Sequence, residues 1–253
     1  MKQYRCLLID WDDTIGDWSD AAYKAQQDLY DKYLLHRYCP SFNHWFTLYH
    51  EHNNQLWEQY GRNEITKQYL QLDRFLYPLM QATGEVSSEK LTETAARMGN
   101  DFLTLTNKYF SLLPDAADTV RELARHYPLT IVSNGFVEVQ YNKLNHSGLR
   151  DFFQHVILSE EAGYQKPDPR IFQLALQRNN EDFIRRGEQP LTTADLLMIG
   201  DGYGSDIKGA IAAGIDQLWL CPDEDALADT LRPATYKEHS VSMILPLLGI
   251  SRR

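Results

Sequence analysis

Arg5-Cys6-Leu7-Leu8-Ile9-Asp10-Trp11-Asp12-Asp13-Thr14 opens with a short apolar run that stops abruptly at a cluster of acids. An uninterrupted apolar run of this length predicts a strand buried on both faces, and acids at its end place charge at a strand terminus. Three more runs have the same build: Leu129-Thr130-Ile131-Val132, His155-Val156-Ile157-Leu158 and Leu196-Leu197-Met198-Ile199. The first leads into Ser133-Asn134-Gly135, the second into Lys166-Pro167, and the third into Gly200-Asp201 and on to Asp206. From Leu129 onward strand and helix patterns alternate, which implies a parallel sheet covered on both faces. Ligands of such open sheets sit where the strands end, so these four segments are expected to converge there.

Between the first strand and the second the pattern changes. From Gly16 to about Asn107, aromatic and long polar residues recur at helical spacing, with few glycines and prolines. Helices are predicted near Ser19 to His36, Phe42 to Tyr60, Glu64 to Ala82 and Ser88 to Phe110. The fold class expected is therefore α/β: a Rossmann-like parallel sheet core, residues 1–16 and 108–253, with an inserted α-helical cap domain, residues 17–107. Pro114 and Asp115 open a helix that ends near His126. Asp168-Pro169 supplies an N-cap and a proline at the first helical position, so another helix starts directly after Lys166-Pro167. The polar stretch Arg178 to Leu191 reads as a surface connection. Val241 to Ile250 is apolar enough to pack on the core, and Arg252 and Arg253 are expected to fray.

The 253 residues, 43% of them hydrophobic, suffice for a sizeable core with a smaller domain inserted. A net charge of -10 argues against a nucleic acid polymer as partner, since phosphate backbones are bound by excess Lys and Arg. Three scattered cysteines make neither a disulfide framework nor a zinc site, which points to a reducing compartment. With no apolar stretch long enough for a signal peptide or a membrane span, the expectation is a cytoplasmic protein without a membrane partner, monomeric or a small homo-oligomer.

Asp10 and Asp12 lie two apart past a strand, so an extended backbone would project both carboxylates to one side. One can attack phosphorus, while the other gives a proton to the leaving oxygen and later takes one from water. Two crowded carboxylates repel, and a divalent cation relieves them; oxygen ligands and a phosphoryl substrate point to Mg2+. Asp201 supplies a further carboxylate. Asp206 either reaches the metal through water, orients Asp201, or is simply a first-turn acid on the helix Ser205 to Ala213. Ser133 and Asn134 sit in a turn that offers a hydroxyl and backbone N–H groups to phosphate oxygens, though such a turn also forms without a function. Lys166 reads as a phosphate contact or as an ordinary solvated lysine.

Other motifs fail on spacing. Ile15 and Ala21 stand where a calcium-binding EF-hand loop needs glycine and glutamate. Gly202-Tyr203-Gly204 lacks the third glycine of a dinucleotide fingerprint. His50 and His52, two apart on a helix, face different directions and make a poor metal pair.

In this order the four motifs resemble those of the haloacid dehalogenase (HAD) superfamily of phosphohydrolases, whose first motif is Asp-x-Asp-x-Thr. The segments Asn145 to Phe153 and Ser159 to Pro169 are similar to the subgroup with a helical cap after the first motif. Ser133-Asn134-Gly135-Phe136, with Leu56 to Tyr60 and Glu64-Ile65-Thr66 in the cap, resembles the pyrimidine 5'-nucleotidases. The resemblance implies that Asp10 forms an aspartyl-phosphate and that Asp12 is the general acid and base. It implies that Asp10, the backbone carbonyl of Asp12 and Asp201 hold magnesium, that Ser133, Asn134 and Lys166 bind the phosphoryl group, and that Asp206 supports them from behind. The acid at Asp12 separates phosphatases from the dehalogenases of the superfamily. The implied substrate is a small phosphorylated metabolite, a nucleoside 5'-monophosphate foremost. Sugar-phosphate hydrolysis, phosphomutase chemistry and a phospho-accepting signalling module are the alternatives. The cap would close over the site. Of its aromatic residues Trp45, Tyr49, Trp57 and Tyr60, one would stack a base, or most of them would form the cap's own helical core.

Overall fold

The computed structural model describes residues 2–221 and 227–251. The chain divides into two compact units, residues 1–17 with 111–253, and residues 18–110.

The first unit is built on a six-stranded sheet in the order β3-β2-β1-β4-β5-β6, every pair parallel. Its strands are β1 (Cys6–Ile9), β2 (Leu129–Ser133), β3 (His155–Leu158), β4 (Leu196–Gly200), β5 (Asp216–Leu220) and β6 (Tyr236–Glu238). All residues of β1, β2 and β4 are buried, which is why these strands read as unbroken apolar runs. Ile9 is in register with Ile131 on one side and Ile199 on the other, so β2 runs two residues, and β4 one residue, past the end of β1. The chain enters at β1, builds outward to β3, then returns to β4 and builds the other way. The reversal falls between β1 and β4, where an open α/β sheet leaves a crevice for ligand.

Two strands escaped the sequence reading. In β5, Asp216 and Gln217 interrupt the apolar run, and the three residues of β6 are all polar or half-buried. The polar stretch from Arg178 is not a connection throughout: the helix Pro169–Arg185 continues through it. Asn179 and Phe183 extend the buried stripe of Ile171, Phe172 and Ala175 by further helical turns. The buried Asn179 amide is satisfied there, donating to the Ala175 carbonyl at 2.8 Å and to Thr130 Oγ1 at 2.9 Å. At the C-terminus Val241, Ile244 and Leu245 are buried, while Arg252 and Arg253 lie outside the described residues.

The second unit comprises α1 (Trp18–Lys32), α2 (Phe42–Gly61), α3 (Lys67–Thr83) and α4 (Glu89–Tyr109). Side chains of Ser41, Thr66 and Ser88 cap the last three by accepting the N–H of His44, Tyr69 and Leu91. The first helix stops earlier than its sequence pattern suggests, with Leu34 at φ 54° followed by the single 3-10 turn Leu35–Arg37. Trp45, Tyr49, Phe75, Met98 and Phe102 form this unit's own core. Two of the four aromatic residues considered for base stacking therefore pack inward; Trp57 and Tyr60 are half-buried and meet edge-on at 5.8 Å. His52 pairs with Asp73 at 2.8 Å, whereas His50 contacts Asn54 at 3.1 Å, so the two imidazoles have separate partners. Among the described residues no helix is long and apolar enough to cross a membrane.

Candidate active site

The adjacent ends of β1, β2 and β4 bring the acids and phosphate-binding candidates together. Asp10 continues β1 and its N–H donates to the Ile199 carbonyl of β4 at 2.9 Å. Its carboxylate Oδ1 takes a hydrogen bond from Lys166 Nζ at 2.5 Å, and the same ammonium lies 2.6 Å from Asp206 Oδ1. All three side chains are almost fully buried. Oxygens of Asp10, Asp201 and Asp206 all lie within 4.8 Å of one another.

Each of these groups is held from behind. Thr14 Oγ1 donates to Asp201 Oδ1 at 3.0 Å, and the Asp201 N–H returns a hydrogen bond to Thr14 Oγ1 at 3.0 Å. The Trp219 indole N–H donates to the Asp201 carbonyl at 2.7 Å, tying that loop to β5. Asp206 Oδ2 accepts the Gly202 N–H at 2.9 Å. Gly200 must be glycine, because a Cβ there would collide with the Asp206 carboxylate. Asn134 and Lys166 clamp each other: the Asn134 amide donates to the Lys166 carbonyl, and the Lys166 N–H donates to Asn134 Oδ1, both at 2.8 Å. Asn134 therefore positions the Lys166 backbone with its side chain, while Ser133 closes β2 as a buried hydroxyl.

Electrostatics follow from this crowding. Burial pushes the Asp10 carboxyl well above the usual range; Lys166 opposes the shift, and Asp206 and Asp201 add to it. Asp201 is pushed up to about 7, by burial first and then by the charges of Asp206 and Asp13. Burial pulls Lys166 down, but Asp10 and Asp206 outweigh it and hold the ammonium above the ordinary lysine value. Three carboxylates facing one ammonium form a hard-oxygen donor set with excess negative charge, which fits a divalent cation such as magnesium.

The Asp12 carboxylate has different company from that expected of a neighbour two residues along. Helix α5 (Ala116–His126) precedes β2, and α6 (Val137–Ser147) follows it and presents Gln140 and Lys143 to Asp12. Lys143 Nζ donates to Asp12 Oδ1 at 2.7 Å and Gln140 Nε2 to Oδ2 at 2.8 Å. The same amide reaches Ser133 Oγ at 3.1 Å. Burial pulls the Lys143 ammonium below its ordinary value, with Asp12 countering. Neither residue stands out in the sequence. Their signal is faint: two polar residues three apart, hence on one helix face, directly after the Ser-Asn-Gly turn. An Asp206 carboxylate oxygen lies within 4.8 Å of oxygens of Asp10 and Asp201.

The Trp11 ring is buried and meets Phe153 edge-on at 6.2 Å, so its bulk serves the core. Asp13 takes a left-handed conformation, φ 58°, and its N–H donates to the Gly16 carbonyl at 2.7 Å, forming the turn that brings Thr14 to Asp201.

Comparison with known proteins agrees with this architecture. The model of the haloacid dehalogenase-like hydrolases matches residues 4–214. The HAD-hydrolase YfnB of Bacillus subtilis is 30% identical over 250 residues, covering 99% of this chain and 97% of that one. The pyrimidine 5'-nucleotidase YjjG of Escherichia coli is 32% identical over 176 residues, 69% of this chain and 70% of that one. A crystal structure of YfnB bound to magnesium superposes with a TM-score of 0.80 at 27% identity, covering 98% of this chain and 100% of that one.

Proposed function

The chain belongs to the haloacid dehalogenase-like hydrolases, and we propose that within this family it is a magnesium-dependent phosphatase of small phosphomonoesters, foremost nucleoside 5'-monophosphates, acting through an aspartyl-phosphate. The observation that carries this reading is the buried Asp10 carboxylate at the β1 terminus, hydrogen-bonded by Lys166 and grouped with Asp201 and Asp206. The magnesium in the YfnB crystal structure and the nucleotidase activity named for YjjG support its two finer parts.

In this mechanism an Asp10 carboxylate oxygen attacks phosphorus and the ester P–O bond breaks. The leaving oxygen takes its proton from Asp12. Water then attacks the phosphorus of the acyl phosphate, Asp12 takes a proton from that water, and Asp10 is released with inorganic phosphate. Lys166 and Ser133 neutralise and orient the transferring phosphoryl oxygens, with Lys166 kept cationic by its two carboxylates. Asp10, Asp201 and the backbone carbonyl of Asp12 would hold magnesium, Asp206 supporting them. The ion would supply positive charge to the phosphoryl oxygens and offset the repulsion between carboxylates.

A panel of nucleoside monophosphates, sugar phosphates and para-nitrophenyl phosphate, assayed with magnesium and with chelator, tests the reading. Phosphate release that needs magnesium and is fastest on nucleoside 5'-monophosphates is the expected result. A preference for sugar phosphates would overturn the substrate assignment, and release unaffected by chelator would overturn the metal.

A further inference from the structure

We propose that Gln140 and Lys143 are positioning residues for the acid–base step, gripping the two oxygens of Asp12 so that its carboxyl faces the leaving-group oxygen. The proposal rests on Asp12 being the proton donor of the phosphatase reaction.

The grip comes from one helix face. Gln140 and Lys143 are 2% and 3% exposed, and each donates to a different oxygen of the same carboxylate. A carboxylate bonded once turns about its χ angles; one bonded on both oxygens from a rigid helix has a fixed plane. The second amide proton of Gln140 reaches Ser133 Oγ, so the acid–base group and the phosphate-binding hydroxyl are registered to one another through a single side chain.

The surroundings are shaped to admit this glutamine. A Cβ on Gly135 would collide with the Gln140 amide and its Cγ, so the turn after β2 is open only as far as Gln140 requires. The amide orientation is dictated by Asp12, since the reverse orientation would set Oε1 against a carboxylate. The consequence is a buried Oε1 without a hydrogen-bond partner. Leaving a buried acceptor unmet is unfavourable, so the stability of the fold alone does not account for a glutamine at this position. A buried lysine likewise costs free energy that its bond to Asp12 only offsets. Both features become intelligible if the task is to aim Asp12.

Aim matters only where a proton must move as the ester bond breaks. An aliphatic alkoxide is a poor leaving group and needs the Asp12 proton, whereas nitrophenolate departs without one. The value of kcat/KM reports steps up to leaving-group departure, so a positioning role gives losses that depend on the leaving group.

The test is Lys143→Met and Gln140→Met in the full-length enzyme with magnesium, assayed on para-nitrophenyl phosphate and on the alkyl phosphate that the wild type cleaves fastest. A fall in kcat/KM of about 10²-fold on the alkyl ester, with less than about tenfold on the aryl ester, is the expected result. In an Asp12→Asn background neither substitution should then lower alkyl-ester turnover further. Equal losses on both esters, no loss on either, or a further loss in the Asp12→Asn background would overturn the proposal. If Lys143→Met does not fold, Gln140→Met, which keeps the side-chain length within the packed site, decides the question by the same comparison of esters. A wild type inactive on both esters overturns the phosphatase reading and this proposal with it; an active wild type with equal losses overturns this proposal alone.

Discussion

Lys166 Nζ lies 2.5 Å from Asp10 Oδ1, and both side chains are largely shut away from solvent just past the end of β1. The same ammonium is 2.6 Å from Asp206, so one cation balances a group of three crowded carboxylates. Lys166→Met would leave that group without its cation. Breaking a buried ion pair by removing one partner costs roughly 3–5 kcal/mol, so the variant should melt earlier. The sign with pH is fixed: carboxyls raised above their unfolded values bind more protons in the folded state, so the variant's deficit should grow as pH rises. Chemical denaturation of metal-free protein near pH 5 and near pH 8 measures both. Phosphate release should also fall by at least about 10²-fold.

Thr14 and Asp201 exchange two hydrogen bonds, which makes Thr14 the residue that orients a carboxylate of the proposed metal site. Thr14→Val keeps the shape and removes the hydroxyl. Outer partners of metal ligands are commonly worth about 10–100-fold in affinity, so calorimetric titration with magnesium should show a weakening in that range. Binding indistinguishable from wild type would mean that Asp201 needs no such orientation.

The Asp201 carboxyl, pushed up to about 7, gives magnesium binding a pH dependence of known sign. The cation competes with the proton for the same oxygen. Affinity should therefore rise by roughly tenfold per pH unit for each proton displaced below about pH 7, then level off. Titrations across that range, in buffers of different ionisation heat, should record protons released at the acid end and few at the alkaline end. The same linkage makes metal-free protein lose stability as pH rises from the ordinary carboxylate range to about 7, as far as this group contributes. An affinity flat across the range would contradict the assignment.

The parts of this fold that could be read from the chain are those where one physical demand dominates a segment. Strands β1, β2 and β4 are buried on both faces, so every residue is apolar or small and the run ends where Asp10, Ser133 or Asp201 meets the crevice. The strand β5 was missed because Gln217 is buried by bonding its amide and backbone to Thr235, a long-range solution that local hydropathy does not register. The helix past Arg178 was missed for a related reason: the buried residue that continues its stripe is Asn179, a polar side chain satisfied by Thr130 of the neighbouring strand. In the site, residues following strand ends announced themselves. Gln140 and Lys143 did not, because a lysine on a helix is by default a solvated one. Only the fold reveals that this helix face is turned to Asp12.

Every step of the proposed chemistry requires Asp10 to be the nucleophile. A rapid acid quench of the enzyme turning over substrate with magnesium, followed by borohydride reduction and peptide mass spectrometry, tests this without an intermediary. Homoserine in place of Asp10, the alcohol left when an aspartyl-phosphate is reduced with loss of phosphate, absent in Asp10→Asn and matched there by lost turnover, is the expected result. Asp10→Asn enzyme that still cleaves an aryl phosphate at the wild-type rate, or reduction recorded at another carboxylate and not at Asp10, would contradict it.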